Sequence, residues 1–347
     1  MNPLLSALAG DAEIEALLND DAQLAAMLAF EKALAEASAE CGFISDTAAE
    51  AIVAAADAFT VDWPKLQEGM ARDGVVVPEF VKQLKAGLPD AHKSALHKGA
   101  TSQDVTDTAL MLQLARVFDV YEARLSALLE KLGSLASQHG ATPLMAHTRM
   151  QVALPTSWGA KIDSWREPLQ RHLKALAQLR RSLLVIQLGG PVGDRGSFGA
   201  HGDAIAVGLA KRLDLGLATP WQAQRDPIAA LGGLLAMIAG TLGKIGMDVA
   251  LLAQNEVGAV RLEGGGGSSA MAHKSNPVNA EVLVALARHV GGLAGTLNQA
   301  MVHENERSGA AWTLEWLTLP PMLVATGASL RLGARLMEQI RIEPSVN

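Results

Sequence analysis

PIAALGGLLAMIAGTLG, residues 227–243, is the longest uncharged stretch of this 347-residue chain, and its reading decides the fold. Its length borders on a bilayer span, which needs about 20 apolar residues. Asp226 and Lys244 close it tightly, and Asp248 continues on the same helical pattern. An apolar helix bounded this closely by charges fits the centre of a helical core better than a membrane. Gly232, Gly233, Gly240, Gly243 and Gly246 punctuate this region. Each glycine weakens a helix by roughly 0.5–1 kcal/mol relative to alanine, and close helix–helix packing supplies the offset.

Outward from this helix the pattern stays helical. Segments 11–39, 105–138, 157–187, 228–262, 278–304 and 322–341 are dominated by Ala, Leu, Glu, Lys and Gln, the good helix formers. Several exceed ordinary globular helices, which predicts an all-α fold built on a long-helix bundle. Residues 1–95 hold shorter helical patterns and the turn-rich DWPKLQEGMARDGVVVPEF, so a small N-terminal helical domain is expected. The bundle is expected over 96–341, with 342–347 as a tail.

Composition narrows the function classes. A net charge of -7, from 29 basic and 36 acidic residues with no long Lys/Arg run, argues against nucleic acid as a partner. The N-terminus has no basic region and meets Asp11 and Glu13 early, unlike a secretory signal. The single cysteine, Cys41, excludes an intrachain disulfide and any two-cysteine metal site, which suits a reducing, cytoplasmic setting. No His pair at ligand spacing argues for a metal, and neither metal nor cofactor is expected.

Polar and glycine-rich residues collect in four connecting segments: HKGATSQD (97–104), HTRMQVALPTSWG (147–159), QLGGPVGDRGSFGAHGD (187–203) and EGGGGSSAMAHKSNP (263–277). Gly189, Gly190 and Gly193 lack the βαβ setting of a dinucleotide fingerprint and read as turn residues. In the last segment Gly264 to Gly267 give Ser268 and Ser269 a mobile, backbone-rich setting, and Lys274 and Asn276 add a cation and an amide. Backbone N–H groups, hydroxyls, an ammonium and an amide suit gripping a carboxylate and the extra charge of its aci form. Lys274 lies too far beyond the glycines for a nucleotide-binding P-loop. A flexible Gly-Ser linker is the alternative, which the density of Met271, His273, Asn276 and Pro277 disfavours.

GSSAMAHKSNP resembles the signature of the fumarase/aspartase superfamily, usually Gly-Ser-Ser-x-Met-Pro-x-Lys-x-Asn-Pro. GATSQDVTDTAL (99–110) and HTRMQVALPTSWG resemble its other two signature regions, in the right order, and the resemblance spans roughly residues 20–340. Within the superfamily, HKGATSQDVTDTAL, PWQAQRDP (220–227) and HENERSGAAWTLEW (303–316) are most similar to the 3-carboxy-cis,cis-muconate cycloisomerases. Adenylosuccinate lyases usually carry His where Arg149 stands, two residues before Gln151. Three positions depart from the pattern: Ala272 replaces the usual Pro, His147 the cycloisomerases' Arg, and Arg149 a residue that is often Trp. The chain stops at IRIEPSVN, about where the superfamily's small C-terminal domain would begin, which implies a shortened form.

The resemblance implies lactone formation: one carboxylate adds across a conjugated double bond through an aci-carboxylate, without metal or cofactor. Carried over, Ser268 handles the proton beside Lys274 and Asn276. Thr101, Ser102, Thr148 and Gln151 bind substrate carboxylates, with Arg149, Ser269 and Arg307 as further binding candidates. Of nine histidines, His97, His147 and His273 lie in the candidate loops, and His97 and His147 lead as acids or bases near neutral pH. Trp221, Trp312 and Trp316 are expected to pack, and Glu306, Glu315 or Asp226 to pair with Arg225 or Arg307. The superfamily also implies a homotetramer whose sites draw on three subunits, with a small polycarboxylate as substrate. Two other readings stay open: a fumarate-releasing lyase, and a non-catalytic scaffold of the lens-crystallin kind.

Overall fold

A computed structural model describes residues 2–267, 271 and 275–343. Six short helices come first: α1 (Pro3–Ala9), α2 (Ala12–Leu18), α3 (Asp20–Glu40), α4 (Asp46–Asp57), α5 (Trp63–Asp73) and α6 (Val77–Ala86). Then come α7 (Ser102–His139), the hairpin β1 (Pro143–Thr148) and β2 (Gln151–Ser157), α8 (Trp158–Leu183) and α9 (Gly202–Leu213). The chain continues through α10 (Asp226–Leu252), β3 (Val260–Leu262), α11 (Val278–Gln299), α12 (Gly309–Gln339) and β4 (Ile340–Ile342). This is the all-α, long-helix architecture that the composition predicts.

The boundaries have local causes. The segment expected as one helix over 11–39 breaks at Asn19, whose side chain accepts the Ala22 N–H and caps α3. The segment 228–262 ends as helix at Leu252, and Val260–Leu262 instead pairs antiparallel with Ile340–Ile342. The last helix starts at Gly309 rather than 322, capped by Ser308, and runs straight through Pro320 and Pro321. Burying Leu319, Met322, Leu323 and Leu330 contributes roughly 1.5–3 kcal/mol each. That matches or exceeds a proline cost of about 3 kcal/mol apiece.

Two hydrophobic cores share α7. The larger lies among α7, α8, α10, α11 and α12 and includes Phe118, Tyr121, Trp158, Trp165, Leu235 and Leu283. The smaller joins α3 to α6 and α9 to the first turns of α7, around Phe30, Phe80, Val105 and Phe198. α10, whose uncharged run sets the fold, packs against α8, α11 and α12. Its approach to α11 leaves no room for side chains: a Cβ on Gly246 would lie 2.5 Å from the Ala280 carbonyl oxygen, and one on Gly243 closer still to the Ala287 Cβ. By length and hydropathy alone α10 and α11 could each cross a membrane, as core helices of large proteins often could.

Candidate active site

The start of α7 gathers two of the four polar segments, 97–104 and 187–203. Thr101 caps the helix in a reciprocal box with Asp104, its own N–H donating to Asp104 Oδ2 at 3.0 Å. Asp104 is fully buried and also accepts the N–H groups of Gly189 (2.7 Å) and Gly190 (2.9 Å) and the Gln187 amide (3.2 Å). One carboxylate thus folds the 187–193 turn onto the helix start. Burial pushes its pKa above the usual value, and the Gly189, Thr101 and Gly190 N–H groups only partly oppose the shift. Before the helix, Gly99 sits at φ +82°, where a Cβ would meet the Phe198 ring at 2.7 Å. Only glycine satisfies both constraints.

Arg307 reaches this corner from the segment before α12. Its Nε donates to Gln103 Oε1 at 2.9 Å and Nη2 to the Pro191 carbonyl at 3.3 Å. Gln103, fully buried, donates its amide to the Gln222 carbonyl (2.8 Å) and to Asp107 Oδ2 (3.1 Å). Behind it lies a buried ionic triad. Arg225 Nη1 donates to Asp107 Oδ2 at 2.7 Å and Nη2 to Glu315 Oε2 at 2.6 Å, with all three side chains at most 3% exposed. Burial works against the Arg225 charge, but the two carboxylates outweigh it and hold its pKa above normal. For Glu315 burial would raise the pKa, yet the hydrogen bonds from Arg225, with the His303 ring 3.8 Å away, hold it low. Trp312 Nε1 donates to Asp107 Oδ1 (3.3 Å), and the Trp221 ring lies 4.7 Å under the guanidinium, so two of the expected packing tryptophans also line the triad.

Of the acids expected near these arginines, Glu315 pairs with Arg225, whereas Asp226 and Glu306 are exposed. Asp107 is the partner that sequence reasoning missed. The spacing places it only on the face of the helix that carries Gln103, four residues earlier, and carries no sign of Arg225.

His97 belongs to the same corner. Held at φ +58°, it places Nδ1 2.6 Å from Glu31 Oε1 of α3. Burial lowers its pKa, but the Glu31 charge and hydrogen bond dominate and hold the imidazole above its usual range.

The other candidates sit far away within one chain. α7 has 38 residues, about 57 Å at 1.5 Å per residue, and the hairpin bearing His147, Thr148, Arg149 and Gln151 follows its far end. The segment 147–159, expected as a loop, is largely this hairpin, with Arg149 (φ +50°) and Met150 (φ +66°) at the turn between paired Thr148 and Gln151. His147 is exposed, its Nδ1 3.2 Å from the Met145 carbonyl oxygen. Met150, Val152 and Leu154 point outward at 67–74% exposure, an apolar surface that α8 and α7 leave uncovered. The glycine segment also lies at that end: Gly266 and Asn276 exchange backbone hydrogen bonds at 2.8 and 2.9 Å, and Gln339 near the end of α12 donates to the Gly264 carbonyl. Asn276 Nδ2 donates to the Gly267 carbonyl at 3.4 Å. Gly264 to Gly266, Asn276, Asn279, Arg335 and Gln339 line a cavity of about 190 Å³. Ser268, Ser269, His273 and Lys274 lie outside the described residues. A rigid α7 therefore separates His97, Thr101, Ser102 and Arg307 from the hairpin and the glycine segment.

Residues 12–292 match the lyase family. The chain belongs to that family, within the fumarase/aspartase superfamily. Among its members, a 3-carboxy-cis,cis-muconate cycloisomerase of Pseudomonas aeruginosa is 39% identical over 99% of this chain and 76% of its own length. The crystal structure of the 3-carboxy-cis,cis-muconate lactonizing enzyme from Pseudomonas putida superposes with a TM-score of 0.93 at 37% identity, covering 99% of this chain and 78% of that one. A nitrosuccinate lyase of Streptomyces davaonensis is 36% identical over 98% of this chain and 75% of its own length, so the lyase scaffold serves more than one substrate.

Proposed function

We propose that this protein is a cycloisomerase that converts 3-carboxy-cis,cis-muconate to 4-carboxymuconolactone, as a cytoplasmic enzyme of protocatechuate breakdown. The observation that carries this reading is the correspondence, over 99% of the chain, with a cycloisomerase of the same family. The corner at the start of α7 supports it: the Thr101 and Ser102 hydroxyls, the Arg307 guanidinium and the His97 imidazole all suit carboxylate oxygens.

In this reading the substrate folds so that one carboxylate attacks the conjugated diene, and the carbon next to another carboxylate takes up a proton. Ser268 handles that proton, while Lys274, Asn276 and Ser269 cradle the aci-carboxylate charge. Thr148, Arg149 and Gln151 bind the remaining carboxylate, with His147 at the rim.

Because α7 holds these groups roughly 57 Å apart in one chain, the site is assembled between chains, as a homotetramer. α10 supports this assembly. Its exposed residues Ala230, Gly233, Met237, Gly240, Lys244 and Met247 recur at spacings of three and four, with small or apolar side chains at all but one. That is the spacing of a helix seam meeting another helix.

The test is the ultraviolet absorbance of 3-carboxy-cis,cis-muconate mixed with purified protein in chelator-containing buffer. Rapid loss of the diene band with lactone as product is expected. An unchanged band from folded, oligomeric protein would reject this reading in favour of a fumarate-releasing lyase.

A further inference from the structure

Glu31 is the one buried acid beside the candidate site whose purpose the fold does not explain. It is 1% exposed in the middle of α3, and its Oε2 finds no hydrogen-bond partner among the described residues. Leaving a buried carboxylate oxygen unsatisfied forfeits the hydrogen bonds it had in water, so an apolar residue would serve the core of α3 better. The other oxygen, Oε1, meets His97 Nδ1 at 2.6 Å, across 66 residues of sequence.

His97 opens the segment that leads to Thr101 and Ser102, and the surrounding contacts fix it. Its own φ is +58°, Lys98 Nζ donates to the Phe43 carbonyl at 2.8 Å, and Ser197 Oγ donates to the Gly99 carbonyl at 2.5 Å. With Nδ1 turned to Glu31, Nε2 is the nitrogen left to meet a ligand. Three charged groups from three elements act on the ring: Glu31 of α3 and Asp104 of α7 favour the imidazolium, and Lys85 of α6 opposes it. The two acids prevail.

We propose that Glu31 is a positioning residue that keeps His97 cationic and aims its Nε2–H at a substrate carboxylate beside Thr101 and Ser102. His97 then works as a charged anchor rather than as a base. The carboxylate class of ligand rests on the cycloisomerase reading; the Glu31–His97 pairing does not.

Glu31→Gln keeps the shape and a hydrogen-bonding group while removing the charge. Histidine C2 hydrogen–deuterium exchange, read peptide by peptide by mass spectrometry, reports the His97 titration in an assembly of any size. Its midpoint is expected to fall by about one unit or more in the variant, and the melting temperature should fall below pH 6, where the wild-type pair is charged, with the difference shrinking as pH rises through the wild-type midpoint. Each unit removes about tenfold of the imidazolium above both midpoints, so KM should rise roughly tenfold there while kcat stays within about twofold.

An unshifted His97 midpoint in folded Glu31→Gln overturns the pairing. A shifted midpoint with unchanged KM overturns the anchoring. If the wild-type protein leaves carboxymuconate untouched, the cycloisomerase reading fails, and propane-1,2,3-tricarboxylate replaces it as the probe. Slower exchange at His97 on adding that tricarboxylate, lost in the variant, then upholds the anchor, and its absence in the wild type rejects it.

Discussion

Replacing Arg225 with Leu removes the guanidinium held between two carboxylates that have almost no contact with water. Asp107 and Glu315 are 2% and 3% exposed, and each accepts two hydrogen bonds from the guanidinium. Breaking a buried pair while leaving its partner charged costs about 3–5 kcal/mol. At roughly 2 °C per kcal/mol, the low end for a chain this long, the melting temperature should fall by about 6–10 °C at pH 8.

The loss should also depend on pH in a direction the triad dictates. In the wild type Glu315 is held below its ordinary value of 4.5, so its contribution is complete above that value and disappears as pH falls through the lowered one. At pH 5 the wild type therefore keeps it. In the variant the unpaired carboxylates are raised by burial, become neutral as the pH falls towards 5, and stop opposing the fold. Calorimetric melts at pH 8 and pH 5 should show the gap between the two proteins narrowing in acid. The triple replacement of Arg225, Asp107 and Glu315 by apolar residues should recover much of the stability, because no charge remains buried. A deficit under about 2 °C at pH 8, or one that widens at pH 5, would refute the argument.

Three further expectations follow from the packing and the site. Gly243→Ala forces a methyl into the α10–α11 contact and should destabilise by about 1–3 kcal/mol, read in denaturant melts, whereas the same change at half-buried Gly133 of α7, where nothing lies within 4 Å of a Cβ, should stabilise slightly. Arg307→Lys keeps the charge but loses the fork that spans Gln103 and Pro191, so KM for carboxymuconate should rise about tenfold with the fold intact, corresponding to about 1.4 kcal/mol. Asn-Gly in place of Arg149-Met150 suits a turn with two positive φ angles, and should raise the melting temperature by a few degrees while lowering turnover through loss of the Arg149 side chain. A Tm that drops, or turnover that is untouched, would remove either the turn argument or Arg149 from the site.

The helical architecture was legible because helix-forming composition extends over segments too long to be anything else, and the uncharged run at 227–243 could only be a core helix or a membrane span. Helix ends were legible where a cap stood, as at Ser157, and misread where packing overrode a local signal. Pro320 and Pro321 mark a helix break to any propensity argument, yet the buried face of α12 holds them. The segment 147–159 was read as a loop because Val152, Ala153, Leu154 and Pro155 run on without the polar alternation of a half-buried strand. In the candidate site, Thr101, Ser102 and Arg307 were found from motifs. Glu31 and Asp107 were not, since a lone acid inside a helical stretch carries no sign of its partner 66 or 118 residues away.

The length of α7 has a genetic consequence. If a working site takes its His97–Arg307 corner from one chain and its hairpin and glycine segment from others, then two inactive alleles need not be inactive together. A chain damaged at Arg307 still offers an intact hairpin, and a chain damaged at Gln151 still offers an intact corner. Mixed assemblies of the two would contain some sites built entirely from undamaged parts, so co-expression of two null alleles would restore a fraction of wild-type activity, while two lesions at the same end of α7 would restore none.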